Sequence, residues 1–65
     1  MKLSLKAARV NANLTQKEVA ERIGVSVVTY IKMENDVNSI SIGDAKRLAK
    51  ILGASYNAIF FDEDV

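Results

Sequence analysis

The sequence predicts an all-α domain, on three observations. Proline is absent and only three glycines occur in 65 residues, so little interrupts a helix. Ser4, Thr15, Ser26, Ser41 and Ser55 each stand at the head of a short stretch that carries spaced apolar residues, where a hydroxyl can cap orphan amides. Within those stretches the apolar residues recur largely at helical spacing.

Five short helices follow in order. The first spans about Leu5 to Ala12, capped by Ser4 and followed by Asn13, a residue that tolerates the left-handed conformation of a helix end. The second opens on Thr15-Gln16-Lys17-Glu18, a capping box with Thr at the cap and Glu three residues on. Val19, Ala20 and Ile23 then form a stripe, and Gly24 ends it where a positive φ is easy. Only Val25 separates Gly24 from Ser26, which caps a third helix from Val27 to about Glu34. Its Val27–Val28 and Tyr30–Ile31 pairs favour strands, but the caps and short connections outweigh them. A polar loop is expected over Asn35 to Ile40. Ser41 caps a fourth helix, Ile42 to Leu52, with Ala45, Leu48, Ala49 and Leu52 on one face and Lys46, Arg47 and Lys50 on the other. Gly53 ends it, and Ser55 caps a last helix, Tyr56 to Phe61, whose Ile59 and Phe60 can close the core.

The length allows one domain, residues 1–65, and a chain this short buries only about 60% of its unfolded surface. The apolar share is 49% and the charged share 26%, as in ordinary soluble domains. The longest apolar run, Ala58 to Phe61, is too short for a membrane span or a signal-peptide core. Without Cys or His there is no disulfide framework and no zinc site. These features predict a soluble, cytoplasmic protein of a reducing compartment, with no membrane, metal or cofactor. Net charge is only +1, yet it is uneven: residues 1–33 carry six basic and two acidic side chains, residues 34–65 three basic and six acidic. Such asymmetry marks a basic binding end, or is scatter in a short chain.

The second and third helices, joined at Gly24, have helix-turn-helix spacing over about residues 16–34. Ala20 is small enough to let the two helices approach. Val19, Ile23, Val25, Tyr30 and Met33 are placed to fill the space between them and the rest. At 100° per residue Tyr30 and Met33 share one side of the third helix, and Val27, Val28, Ile31 and Lys32 another. If the first pair faces the core, three branched apolar residues face out, which points to a partner. In the DNA major groove a Val can touch the thymine methyl, and a Lys can donate to guanine O6 and N7. Alternatively the valines merely stand exposed or the helix is buried on both sides, and Lys32 meets a phosphate.

Lys6-Ala7-Ala8-Arg9, Leu14-Thr15-Gln16, Val19-Ala20-Glu21, Gly24-Val25-Ser26, Met33-Glu34-Asn35 and Leu48-Ala49-Lys50-Ile51-Leu52-Gly53 together resemble the phage repressor and Cro family of helix-turn-helix domains. The resemblance covers about Leu3 to Phe61. It implies a five-helix, phage repressor-like DNA-binding domain that binds operator DNA and often dimerises. It further implies that Gln16 touches the DNA backbone and that Arg9 and Glu34 form a structural ion pair between the first and third helices. Three departures stand out: Asn13 replaces a frequent Gly, Asp36 stands where Gly is common after Glu-Asn, and Val27 and Val28 occupy recognition positions that are often polar.

The expected DNA-binding residues are therefore Thr15, Gln16, Lys17, Ser26, Val27, Val28, Ile31, Lys32 and Asn35. Thr15 and Gln16 lie at a helix N-terminus, where amides and the dipole attract anions; Lys17, Ser26 and Asn35 are further phosphate contacts. Phe60, Phe61 and Val65 are candidates for a homodimer contact. Catalysis is not expected: there is no His, Cys or glycine-rich phosphate loop, and Asp62-Glu63-Asp64 lacks the spacing of a calcium loop. The expected role is a transcriptional regulator, a repressor of phage, prophage or small-operon type acting on double-stranded palindromic DNA. The competing expectation is a module that binds a protein partner through the outward face of the third helix.

Overall fold

The computed structural model describes residues 3–60, and all regular structure in that span is helical. The five helices are α1 (Leu5–Asn11), α2 (Gln16–Ile23), α3 (Val27–Asn35), α4 (Ile42–Leu52) and α5 (Tyr56–Phe60), with a single 3-10 turn at Val37–Ser39.

Local chemistry sets each boundary. Ser4, Thr15, Ser26 and Ser41 all accept from the backbone N–H three residues on, so four orphan amides are satisfied by side chains. The capping box is complete: Glu18 N–H donates to Thr15 Oγ1 at 3.1 Å, and Thr15 N–H donates to Glu18 Oε1 at 2.8 Å. Gly24 at φ +85° ends α2, and its N–H and that of Val25 both close on the Ala20 carbonyl. Asn13 adopts φ +59°, so it performs after α1 what a glycine would.

The loop expected from Asn35 to Ile40 is more ordered than anticipated. Asn35 belongs to α3, and residues 37–39 wind into the 3-10 turn. Asp36 causes this: its side chain accepts from Asn38 N–H at 3.2 Å, and its carbonyl accepts from the Ser39 hydroxyl at 2.7 Å. The departure at 36 is thus a turn-former.

Each helix contributes to one core: Leu5 and Ala8 from α1, Val19, Ala20 and Ile23 from α2, Tyr30 and Met33 from α3, Leu48, Ala49 and Leu52 from α4, and Ile59 from α5. Tyr30, Leu48, Val19 and Ile59 are completely buried. Leu3 N–H donates to the Ala58 carbonyl at 2.8 Å, closing the N-terminal segment against α5. The expected division of α4 holds, with its aliphatic face inside and Lys46, Arg47 and Lys50 exposed. Phe60 is half-buried against the core, its ring 5.4 Å from that of Tyr56, so only part of it remains for a dimer contact. Phe61 and Val65, the other two dimer candidates, lie outside the described residues, as does Asp62-Glu63-Asp64.

Candidate nucleic-acid interface

α3 has two unlike sides because Tyr30 and Met33 are its only buried residues. Burying them turns Val27 (39% exposed), Val28 (60%) and Ile31 (36%) outward. Lys32 and Asn35 are exposed with them. The geometry excludes one of the alternatives left open by the sequence: the helix is not buried on both sides. The Ser26 hydroxyl accepts from Thr29 N–H and donates to Thr29 Oγ1 at 3.0 Å, so contacting a phosphate would require it to exchange that hydroxyl partner. Thr29 is an exposed polar side chain in the first turn of α3 that the sequence reading passed over. Its position beside Val28 was the available signal.

α2 begins beside the end of α3. The capping box satisfies the Thr15 and Glu18 amides, which leaves those of Gln16 and Lys17 as the helix-start donors outside it. Thr15 and Lys17 are exposed and Gln16 is half-buried. The Thr15 backbone and side-chain hydrogen bonds hold the Glu18 carboxyl below its usual range, so Glu18 is ionised at neutral pH.

Behind these helix ends lies a polar hub centred on Glu34. Arg9 Nε donates to Glu34 Oε2 at 2.6 Å, and the two side chains are only 11% and 6% exposed. Tyr30 donates its hydroxyl to the same oxygen at 2.7 Å. The Gln16 amide nitrogen donates to Oε1 at 3.0 Å. Arg9 also donates to the Leu14 carbonyl at 2.9 Å, which pins the connection between α1 and α2. Burial alone would raise the Glu34 carboxyl; hydrogen bonds from Tyr30, Arg9 and Gln16 and the Arg9 charge outweigh it, and Glu34 titrates below its usual range. Burial pushes the Tyr30 phenol strongly upward, and its bond to the Glu34 carboxylate adds to that shift. The ion pair was expected from the resemblance; the Tyr30 and Gln16 bonds were not.

Arg47 was expected only on the outer face of α4, and its bond to α2 was not. It donates to the Ile23 carbonyl at 3.1 Å and lies 3.5 Å from Asp44, placing a cation at the C-terminal end of α2. This bond ties α4 to the turn that launches α3. Among the described residues no group of three or more acidic side chains could hold a metal ion, and no helix is long and apolar enough to cross a membrane.

Two short helices joined by one tight glycine turn, the second offering a side-chain face at its N-terminal half, define a helix-turn-helix domain. The chain belongs to the helix-turn-helix family of Cro and repressor type, whose sequence pattern matches residues 5–59. It is 39% identical to an uncharacterized HTH-type transcriptional regulator of Methanocaldococcus jannaschii, over 98% of this chain and 97% of the relative. Identity is 34% to an uncharacterized HTH-type transcriptional regulator of Archaeoglobus fulgidus, over 98% and 92% of the two chains. It is 36% to one of Methanothermobacter thermautotrophicus, over 98% and 96%. No solved structure matches the chain.

Proposed function

We propose that the protein is a DNA-binding transcriptional regulator, and more specifically a repressor that binds a palindromic operator as a homodimer. Membership of the helix-turn-helix family and the regulators among its relatives support the broader role. The observation that carries the mechanism is the outward face of α3, where Val27, Val28 and Ile31 stand exposed at the start of a helix beside Lys32.

In the proposed mode the N-terminal half of α3 enters the major groove. Val27 and Val28 meet thymine methyl groups, and Lys32, about one turn deeper, donates to a guanine. The start of α2 lies over the sugar–phosphate backbone, with the Gln16 and Lys17 amides, the Gln16 side chain and Asn35 as backbone contacts. Such contacts fix register and supply affinity, while α3 supplies preference. One short helix reads few base pairs, so two copies on half-sites about one helical turn apart double the readout. The partly exposed Phe60, with Phe61 and Val65, is the proposed dimer contact. The role belongs to the cytoplasm of a prokaryotic or phage-infected cell.

Selection from a random duplex pool at a fixed, stated salt concentration tests this reading. Enrichment of an inverted repeat, with full-site DNA binding tighter than half-site DNA, is the expected result. Equal affinity for half-site and full-site DNA rejects the dimer. The same exposed valines also favour a second reading, a protein partner on α3. Salt separates the two: DNA affinity falls steeply as counterions are released, whereas an apolar protein contact barely responds.

A further inference from the structure

Glu34 is a carboxylate close to a helix start that, in the proposed function, meets phosphate. A bare negative charge there would oppose the ligand. Arg9 removes that objection, because its guanidinium neutralises Glu34 at 2.6 Å within a nearly closed pair. Oε2 is taken by Arg9 and Tyr30, and Oε1 accepts from the Gln16 amide nitrogen at 3.0 Å. Arg9 and Tyr30 therefore hold the carboxylate in one orientation, and the carboxylate in turn orients Gln16. A Gln amide nitrogen carries two N–H groups. One is committed to Glu34, which leaves the other to donate. An exposed Gln on a first helical turn would otherwise lose side-chain freedom on gripping a phosphate.

We propose that Glu34 is a positioning residue for nucleic-acid binding: clamped by Arg9 and Tyr30, its carboxylate fixes the Gln16 amide so that its second N–H is presented to a backbone phosphate. The inference rests on the DNA-binding reading and assigns Glu34 a role beyond holding α1 to α3. The three anchoring groups come from different elements, Arg9 from α1, Tyr30 from α3 and Gln16 from α2, so the hub sets the start of α2 against both neighbours. The pair is a structural bond and an aiming device at once.

Two measurements on the full chain test this. The first needs no DNA: the scalar coupling across the hydrogen bond between Gln16 Nε2 and Glu34 Cδ, read by NMR in the wild-type protein. A detectable coupling, with Gln16 amide protons of distinct shift and slowed exchange, is expected. Absence of both overturns the proposal without bearing on DNA binding. The second is a cycle of Gln16→Ala, Glu34→Gln and the double variant, binding a fluorescein-labelled mixed-sequence duplex of about 20 base pairs in about 50 mM salt, where phosphate contacts dominate. Gln16→Ala should weaken binding roughly threefold to tenfold, the range of one hydrogen bond. Glu34→Gln should weaken it similarly, and the double variant no further. Losses that multiply would mean that Glu34 acts only through the fold, and would overturn the proposal. A clear coupling alongside unchanged binding by Gln16→Ala would remove Gln16 from the DNA interface and overturn the proposal, whereas failure of the wild type to bind any duplex would instead be the failure of the DNA reading. Gln16 is half-buried at the surface, so its variant keeps the test decisive even if Glu34→Gln does not fold.

Discussion

The two ends of α3 invert the usual distribution of residue types. Its N-terminal half exposes Val27, Val28 and Ile31, while its C-terminal half encloses the ionised pair of Glu34 with Arg9. An apolar surface outside and a charge inside both cost free energy unless something compensates. At the C-terminal end the compensation is visible: three donors meet the carboxylate, and among the described residues no buried side-chain polar atom lacks a partner. At the N-terminal end the chain supplies none, and the proposed function assigns that role to DNA. The comparison teaches that one end of α3 is built for the fold, while the other, in the proposed function, serves DNA.

The hub is where the comparison breaks most readily. Arg9→Ala or Glu34→Ala leaves the other charge nearly buried and unpaired, an expected loss of about 3–5 kcal/mol. Total stability for 65 residues is only about 3–10 kcal/mol, so either variant should approach unfolding at room temperature. Urea melts of both singles and the double give the coupling; additive losses would mean that the pair contributes nothing as a pair.

Tyr30→Phe removes one hydroxyl from the same carboxylate and keeps the buried ring. The expected loss is about 1.5–3 kcal/mol, the worth of a hydrogen bond to a charged group. A neutral result would place the Tyr30 hydroxyl outside the hub.

The pH profile sharpens the same contrast. Glu34 is lowered from 4.5 in the folded state, so its contribution is present above that value and is lost as pH falls below it. Tyr30 is raised from 10.0, so its contribution is complete below that value and is lost as pH rises above it. Unfolding free energy against pH should show both limbs. Tyr30→Phe should flatten the alkaline limb, and the acid limb should persist in Lys32→Ala.

At the other end of α3 the effect on stability should nearly vanish. Val28→Ala and Lys32→Ala remove exposed side chains and should shift stability by less than about 0.5 kcal/mol. A loss above about 1 kcal/mol in thermal melts would mean that this end also serves the fold.

Much of this division was legible in the sequence, for local reasons. Ser4, Thr15, Ser26 and Ser41 sit within three residues of the amides they cap, and Gly24 and Gly53 occupy the left-handed positions that favour glycine. Helical spacing alone separated Tyr30 and Met33 from Val27, Val28 and Ile31. The 3-10 turn was missed because it depends on how Asp36 engages Asn38 and Ser39, a choice that periodicity does not record. The bonds of Gln16 and Tyr30 to Glu34 and of Arg47 to the Ile23 carbonyl were hidden differently. Gln16–Glu34 and Arg47–Ile23 span 18 and 24 residues, and their geometry exists only once three helices have packed. Tyr30 and Glu34 are one helical turn apart, but a core tyrosine reads as apolar filling until its hydroxyl is placed.

The central claim, that the outward end of α3 reads base edges, is tested most directly by a panel of single-base variants of the selected duplex. Binding of wild type, Val28→Ala and Lys32→Ala is measured on every member at one salt concentration. The account predicts that Lys32→Ala loses about 1–3 kcal/mol of discrimination at one base pair per half-site and that Val28→Ala loses a preference for thymine. Uniform weakening of the whole panel by Lys32→Ala, with the thymine preference of Val28→Ala unchanged, would contradict it.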